Sequence, residues 1–247
     1  MKKEDYYSKT FMERYKKGGR SLEDREIKAL KLLSGANLST GSKVIDVGCG
    51  DGFLLQELAK TLGQDCEYFG GEYSDFQRIK AEERTGFSIS SIDLEESLDF
   101  RDGTFDVIYS GEVIEHLFNP DKMVRELNRI CKPGGLLVIT TPNMNSWISR
   151  LLFLFGFQPM NYECSTECSA YGYRGLKKFK HQDWPVGHVR LFNCHSISDL
   201  LVDNGFQILK IQGSVFESIP KPLRGLDRFF SRSHSLASGI VVLARRL

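Results

Sequence analysis

The segment VIDVGCGDGF, residues 44–53, carries the strongest fold signal in this chain. An apolar run leads into three glycines at alternate positions, Gly48, Gly50 and Gly52, and the apolar stretch LLQELA follows at once. The pattern predicts a buried strand that turns sharply into a helix. Because glycine adopts positive φ and has no Cβ, the backbone N–H groups of such a turn can approach a ligand near the positive end of the helix.

Helix-like and strand-like patterns alternate from about residue 22 to residue 142. This alternation predicts a parallel sheet covered by helices on both faces. We expect Ser21 to cap the first helix, Ser74 to cap the third, and Pro133–Gly135 to form a turn before the fifth strand. The expected strands are KVIDVG, CEYFGGEY, FSISSIDL, FDVIYS and LLVITTP, followed after a gap by FQILKIQG and SGIVVLARR.

The overall composition excludes some classes of protein. With 247 residues, 41% of them hydrophobic, the chain can bury a large core, and we expect a single domain over residues 1–247. Because 33 Lys and Arg residues balance 32 Asp and Glu residues, the chain has no strong field to attract nucleic acid. The basic N-terminal segment lacks a secretory apolar run, which predicts a cytoplasmic location. Six irregularly spaced cysteines predict reduced thiols.

Within that domain we expect a core at about 22–145 and 194–247, interrupted by a cap inserted at about 146–193. The insertion contains WISRLLFLFGF, residues 147–157, which is densely apolar but much shorter than the roughly 20 residues that cross a bilayer. Three interpretations stay open for this segment: a buried cap helix, a wall for a lipid-linked ligand, or an interfacial helix in contact with a membrane. The last would make the protein peripheral at the membrane.

Acidic residues follow three successive predicted strands: Asp46, Glu72 and Asp93. Since the carboxyl ends of parallel strands meet at one edge of a sheet, we expect these carboxylates to surround one crevice. They can accept hydrogen bonds from an ammonium group, from both ribose hydroxyls and from an adenine amino group. Phe53 stands where the dinucleotide fingerprint requires its third glycine, which argues against an NAD(P) oxidoreductase. The pattern favours a nucleoside that carries a positive charge, and so S-adenosylmethionine.

Four motifs in order carry a family resemblance: VIDVGCGDG, the Glu of GGEYS, FDVIYSGEVIEHL and ELNRICKPGGLLVITTPN. Together they resemble the class I S-adenosylmethionine-dependent methyltransferases, in particular the branch of ubiquinone-type O-methyltransferases and sugar-modifying relatives. The resemblance covers roughly residues 25–145. It implies an α/β, Rossmann-like, doubly wound sheet of seven strands, mostly parallel with the last strand antiparallel.

The resemblance also implies a set of cofactor-binding residues. It places five of them at the methionine portion, two at the ribose, two at the adenine and three on the floor of the site. In that order they are Asp46, Gly48, Cys49, Gly50 and Gly52; Glu72 and Tyr73; Asp93 and Leu94; and Ser110, Gly111 and Glu112. More loosely, TPNMNSWISRLLFLFGFQPMNYECS and GHVRLFN resemble the cap of methyltransferases that accompany surface-polysaccharide and glycolipid assembly.

Two histidines are candidates for the catalytic step. His116, in GEVIEHLF, and His188, in PVGHVRLF, can orient an acceptor hydroxyl or take its proton, although a purely structural role is an equal alternative for each. The chain lacks the Asn/Asp-Pro-Pro-Tyr motif of relatives that methylate exocyclic amines of bases or protein glutamine. It also lacks the Asp and Asn pair that holds magnesium in catechol-type relatives, so we expect no metal. Cys164 and Cys168 have a spacing that fits zinc poorly.

These observations predict O-methylation of a hydroxyl group on a saccharide, a glycolipid or another small molecule. One alternative is a quinone-type or lipid-type O-methyltransferase at the membrane surface. Another is a non-catalytic, nucleoside-binding partner subunit. The oligomeric state and the acceptor stay open, and we expect no nucleic-acid partner.

Overall fold

The computed structural model describes residues 20–173, 175–176, 185–216 and 219–247, so parts of the predicted N-terminal segment and of the predicted cap lie outside it. The strands are β1 (Lys43–Val47), β2 (Glu67–Glu72), β3 (Ser88–Ser91), β4 (Phe105–Gly111), β5 (Cys131–Pro142), β6 (Phe206–Ser214) and β7 (Gly239–Arg246). They form one sheet of seven strands in the order β3-β2-β1-β4-β5-β7-β6. β7 is antiparallel to both of its neighbours, while β1 to β5 pair in parallel. The predicted sheet is thereby confirmed.

Helices cover both faces of this sheet. Successive side chains of a strand point to opposite faces, so the apolar residues of a buried strand need packing partners on both sides. In β1, Val44 joins a core cluster with the helices α1, α2 and α3, whereas Ile45 and Val47 join the opposite cluster with α4 and α6. The helices are α1 (Asp24–Leu33), α2 (Phe53–Leu62), α3 (Asp75–Thr85), α4 (Pro120–Ile130), α5 (Trp147–Leu154), α6 (Cys194–Asp203) and α7 (Arg224–Phe230).

Local details differ from the sequence-based expectations at two places. The cap of α1 is Glu23 rather than Ser21, because Glu23 and Glu26 form a reciprocal capping box. The expected turn at Pro133–Gly135 is instead a bulge inside β5. Cys131 pairs with Phe105, and the next paired residue of β5 is Leu136. The positive φ of Gly134, +77°, lets the chain bend there without leaving the sheet.

A cap covers the carboxyl ends of the parallel strands, and it is built from two segments of the chain. One contains α5, and the second lies between β6 and β7 and contains α7. The two segments are joined through Asp227, which is buried and accepts hydrogen bonds from Trp147 Nε1 at 2.7 Å and Ser238 Oγ at 2.6 Å. The Trp147 ring also stacks on Phe230 at 5.3 Å. The second segment was not predicted from the sequence.

Candidate active site

The glycine turn after β1 has the geometry that the sequence predicts. Gly48, Gly50 and Gly52 all have positive φ, at 80°, 56° and 76°. A Cβ on Gly48 would lie 2.4 Å from Cγ2 of Val113, so this glycine is required by a close contact as well as by its φ. Gly48 and Gly50 line a cavity at the strand ends. Gly52 lies at the start of α2 and packs against Ala81, outside the lining of that cavity.

Glu72 joins the turn after β1 to the turn after β2. Its Oε2 accepts the backbone N–H of Gly50 at 2.9 Å, and its Oε1 accepts that of Ser74 at 2.9 Å. Burial raises the pKa of the Glu72 carboxyl, and these backbone hydrogen bonds oppose the rise. A carboxylate has about four lone-pair sites, so Glu72 keeps acceptor capacity for ligand hydroxyls on the cavity wall.

Asp46 lies at the end of β1 with 2% of its surface exposed, and it lines the same cavity. Burial raises the pKa of its carboxyl to about 8; Arg20 opposes the rise, and the negative charge of Glu72 adds to it. A cationic group placed beside Asp46 would favour the ionised carboxylate, because it would compensate the cost of burying that negative charge. The site is therefore suited to a ligand ammonium or sulfonium group.

The remaining predicted cofactor residues divide into those that line the cavity and one that lies behind it. Asp93 Oδ1 accepts the backbone N–H of Glu95 at 2.9 Å, which fixes the turn that follows β3. Ser110 is fully buried and donates its hydroxyl to the carbonyl of Val47 at 2.9 Å, so it holds β4 to β1 rather than lining the cavity. Those that line the cavity are Cys49, Tyr73, Asp93, Leu94, Gly111 and Glu112.

Glu112 has a φ of +55°, a strained conformation that few non-glycine residues adopt and that is enriched at active sites. Its backbone N–H donates to the carbonyl of Thr140 at 3.0 Å, and its Oε1 accepts from Thr140 Oγ1 at 3.0 Å. Arg25 Nε lies 3.7 Å from the same carboxylate oxygen. Burial lowers the pKa of Arg25, but the attraction of Glu112 and neighbouring acids outweighs it and the pKa rises. This arrangement fixes Glu112 at the cavity wall.

Arg25 was not predicted as a site residue. The signal that could have identified it is a basic residue in the first turn of α1, where the helix dipole disfavours positive charge. Such a residue is expected to have acidic partners; Arg25 pairs with Glu23, two residues before it, and with the distant Glu112.

The two candidate histidines come together although they are far apart in the sequence. The ring centroids of His116 and His188 lie 5.0 Å apart, and both side chains line the cavity. Nδ1 of His116 lies 3.1 Å from the carbonyl oxygen of Gly187, and Nδ1 of His188 lies 3.1 Å from that of Asn161. The carboxylate of Glu163 accepts the backbone N–H groups of residues 186–188, which holds the His188 loop in place.

Glu115 lies beside these histidines with 2% of its surface exposed. Its Oε1 is 4.0 Å from Nε2 of His116, and its Oε2 accepts from Thr141 Oγ1 at 3.2 Å. Burial, together with the negative charge of Glu112, raises the pKa of the Glu115 carboxyl well above its ordinary value. Glu112 but not Glu115 was assigned to the site from the sequence, although both positions of GEVIEH suit a solvated carboxylate and the preference for Glu112 was slight.

A single cavity of about 950 Å³ connects the acidic strand ends, Glu112, Glu115 and the two histidines. Its polar part is formed by the strand ends of the sheet, and its apolar part is formed by the cap. The apolar walls come from both cap segments and include Ile148, Leu151, Leu152, Phe155, Phe157, Met160, Leu223 and Leu226. The volume is at the upper end of the roughly 300–1,000 Å³ found for ligand pockets.

Comparisons with known proteins agree with this geometry. The model of the methyltransferase domain family matches residues 20–211. The ubiquinone biosynthesis O-methyltransferase of Erwinia tasmaniensis is 34% identical over 125 residues, which cover 47% of this chain and 50% of that protein. The 2-methyl-6-phytyl-1,4-hydroquinone methyltransferase of Synechocystis is 40% identical over 111 residues, which cover 43% of this chain and 34% of that protein. The chain thus spans half or less of the length of these curated relatives.

A solved structure extends the comparison to the whole fold. The TehB-like S-adenosylmethionine-dependent methyltransferase of Corynebacterium glutamicum matches with a TM-score of 0.60 at 14% identity, over 98% of this chain and 100% of that chain. At this identity the likeness concerns the fold alone.

The fold and the site define a Rossmann-like protein that binds a nucleoside ligand at the carboxyl ends of its parallel strands. Since the family model covers residues 20–211, the chain belongs to the methyltransferase domain family, within the class I, S-adenosylmethionine-dependent methyltransferases. The family and the cofactor that the motifs predict are confirmed.

Proposed function

We propose that this chain transfers the methyl group of S-adenosylmethionine to a hydroxyl group of a largely apolar acceptor, such as a lipid-linked saccharide or a quinol with a lipid tail. The observation that carries the proposal is the single cavity, which joins acidic strand ends and a histidine pair to the apolar walls of the cap. A free saccharide would leave those apolar walls in contact with water, so the cap favours an acceptor with an apolar portion.

The acidic side chains at the strand ends suit the parts of the cofactor that carry donors. Asp46 would accept hydrogen bonds from its ammonium group, Glu72 from the ribose hydroxyls and Asp93 from the adenine amino group. The cofactor supplies a methyl group on a positively charged sulfur, and the transfer leaves a neutral thioether.

The histidine pair and the cap act on the acceptor. A hydroxyl is a poor nucleophile while it keeps its proton, so the site must orient the oxygen and promote loss of that proton. His116 and His188 line the cavity side by side and are placed for this role. The methyl group then forms a bond to the acceptor oxygen as its bond to sulfur breaks.

The names of the relatives support an acceptor of this kind. The two curated proteins above are, by name, methyltransferases of ubiquinone biosynthesis and of a phytyl hydroquinone. The second name describes a hydroquinone ring that carries a phytyl chain, and the first names only the biosynthesis of a quinone. The apolar wall of the cavity offers a surface to such a tail here, and this common chemistry favours the lipid-type alternative over a free saccharide.

An apolar face on the outside of the cap continues towards the cavity. Leu151, Phe153, Leu154 and Phe155 of the first cap segment are 46%, 55%, 76% and 72% exposed, and Leu151 and Phe155 also line the cavity. Among the described residues, every helix is too short or too polar to span a bilayer. We propose that this face contacts the lipid surface in which the acceptor resides, so that the acceptor enters without crossing water.

The first test is cofactor binding, measured by calorimetry with S-adenosylmethionine, with NAD as comparator and with a Glu72→Ala variant. We expect binding of S-adenosylmethionine but not NAD, and at least about a tenfold loss of affinity in the variant, since hydrogen bonds to a charged group contribute about 1.5–3 kcal/mol. Binding of NAD alone would contradict the proposal.

The second test is the acceptor. Purified protein with S-adenosylmethionine is offered a phenol with a long isoprenoid tail, the same phenol without its tail, and a free monosaccharide, and methylated products are detected by mass spectrometry. We expect the tailed phenol to react best, and a Leu152→Arg variant to lose that preference while it still binds the cofactor. Equal rates with and without the tail would refute an apolar acceptor. Equal activity of the His116→Ala and His188→Ala variants and the wild type would remove both histidines from the mechanism.

A further inference from the structure

Three potential metal ligands meet at one point of the cavity wall. Glu115 and His116 lie in the 3₁₀ turn Ile114–His116 after β4, and His188 lies in the segment that leads to α6. One ligand atom from each residue, a carboxylate oxygen or an imidazole nitrogen, lies within 4.8 Å of the other two. Cofactor binding, as proposed above, uses none of the three.

The carboxylate of Glu115 has an unsatisfied oxygen. Oε2 accepts a hydrogen bond from Thr141, but Oε1 is buried and has no hydrogen-bond partner among the described residues. The nearby Nε2 of His116 is 4.0 Å from Oε1, which is beyond hydrogen-bond distance. A buried carboxylate oxygen without a partner is costly, and a cation beside it would remove that cost.

Both histidines are oriented as metal ligands usually are. Each Nδ1 lies 3.1 Å from a backbone carbonyl, that of Gly187 for His116 and that of Asn161 for His188. A carbonyl can only accept, so Nδ1 carries the hydrogen in each neutral ring and Nε2 carries the lone pair. A backbone carbonyl on the second ring nitrogen is the common way in which proteins orient a metal-binding imidazole.

The loop that carries His188 is fixed on both sides. The carboxylate of Glu163 accepts three of its backbone N–H groups, at 2.7, 2.8 and 3.1 Å. The backbone carbonyl of Glu115 accepts the N–H groups of Val189 at 2.8 Å and Arg190 at 3.0 Å. The two segments that carry the ligands are therefore hydrogen-bonded to each other, which holds the three side chains together before any ion binds.

We propose that Glu115, His116 and His188 bind one divalent cation through Oε1 of the carboxylate and Nε2 of each ring. Two nitrogen donors and one oxygen donor suit Zn²⁺, Mn²⁺ or Fe²⁺ better than Mg²⁺ or Ca²⁺, which prefer oxygen ligands. Bonds of about 2.0–2.2 Å to a common ion hold such atoms about 3–4 Å apart, so side-chain shifts of roughly 1 Å are enough. Three protein ligands leave coordination positions open towards the cavity.

The binding of the cation is independent of the proposed function, but its catalytic role rests on that function. It would hold the acceptor oxygen and lower the pKa of the hydroxyl, whose proton passes to water. The oxygen then bonds to the methyl carbon while the carbon–sulfur bond breaks. The histidines act on the acceptor through the cation, which departs from the metal-free transfer expected from the sequence.

The test uses tag-free, full-length protein treated with a chelator and then dialysed. Zn²⁺, Mn²⁺ and Mg²⁺ are titrated by calorimetry, and Mn²⁺ binding is also followed by the loss of the free-ion electron paramagnetic resonance signal. We expect one equivalent of Zn²⁺ or Mn²⁺ to bind, more tightly than Mg²⁺. The Glu115→Gln and His188→Ala variants should weaken this binding by at least about 100-fold.

A control variant removes a histidine outside the cluster. His195 is exposed on α6, so His195→Ala should bind the cation as the wild type does. Each variant is also titrated with S-adenosylmethionine, because retained cofactor binding shows that the variant has folded. Wild-type protein that binds the cofactor but no cation, or ligand variants that bind the cation as the wild type does, would overturn the metal site and leave the proposed function in place. Cation binding without cofactor binding would support the metal site and refute the proposed function.

Discussion

Replacing Gly48 with alanine tests whether the glycine turn depends on a close contact or only on its backbone conformation. Gly48 has a φ of +80°, and a Cβ at this position would lie 2.4 Å from Cγ2 of Val113. Gly41 is a matched control, because it also has a φ of +80° but a Cβ there would meet nothing within 4 Å. The two substitutions separate the cost of a left-handed alanine from the cost of the collision.

The expected loss of stability is the sum of a conformational cost and a collision cost. A left-handed conformation costs an alanine about 1–2 kcal/mol, and forcing a methyl group into a filled space costs about 1–3 kcal/mol. We therefore expect Gly41→Ala to lower the free energy of unfolding by about 1–2 kcal/mol and Gly48→Ala by about 2–5 kcal/mol. In a Val113→Ala background the collision is absent, so Gly48→Ala should then cost only about 1–2 kcal/mol.

The assay is urea unfolding of the two glycine variants, the Val113→Ala variant and the Gly48→Ala/Val113→Ala double variant. Their free energies of unfolding are compared with one common slope m, the dependence of that free energy on urea concentration. Calorimetry with S-adenosylmethionine is run in parallel, and we expect Gly48→Ala to weaken cofactor binding because the turn must move away from Val113. Equal losses of stability for Gly41→Ala and Gly48→Ala would refute the contact. A Val113→Ala background that leaves the cost of Gly48→Ala unchanged would refute it as well.

Three further predictions concern the carboxylates of Asp46, Asp227 and Glu163. The pKa of Asp46 is about 8 in the folded protein and 3.8 in the unfolded chain, so its contribution to stability is fully present below pH 3.8 and is lost as the pH rises to about 8. From pH 5 to pH 7 the free energy of unfolding of the cofactor-free wild type should therefore fall by about 2–3 kcal/mol relative to that of Asp46→Asn, measured by urea unfolding. The same pH dependence of this free energy in both proteins would contradict the prediction. Asp227→Ala removes the acceptor of three hydrogen bonds, from Trp147, Phe216 and Ser238. This substitution should lower the free energy of unfolding by about 3–5 kcal/mol. A change below about 1 kcal/mol would show that the cap segments do not depend on Asp227. Glu163→Gln exchanges one acceptor oxygen for a donor, so turnover should fall by about 10–100-fold with unchanged S-adenosylmethionine affinity. In a His188→Ala background, Glu163→Gln should not lower turnover further. If the two substitutions lower turnover independently of each other, Glu163 does not act by positioning His188.

Local patterns were sufficient to predict the parallel part of the sheet and the cofactor turn. Buried strands produce continuous apolar runs, a strand-to-helix turn needs glycine, and the carboxyl ends of parallel strands meet at one edge. Asp46, Glu72 and Asp93 could therefore be assigned to one crevice from their positions in the sequence alone. Ser110 could not be separated from its cavity-lining neighbours, because its hydroxyl faces the Val47 carbonyl only after β4 pairs with β1.

The strands, the helices that cover the sheet, the cofactor turn and the family could all be predicted from the amino-acid sequence. The helix α7 could not, and neither could the place of β7 between β5 and β6, the second cap segment, or the meeting of Glu115, His116 and His188; only the tertiary structure decided these. Arg25 and Glu112 became partners in the same way. The physical reason is that periodicity and turn chemistry act over a few neighbouring residues, whereas these contacts join distant segments that approach one another only when the sheet and both cores are packed.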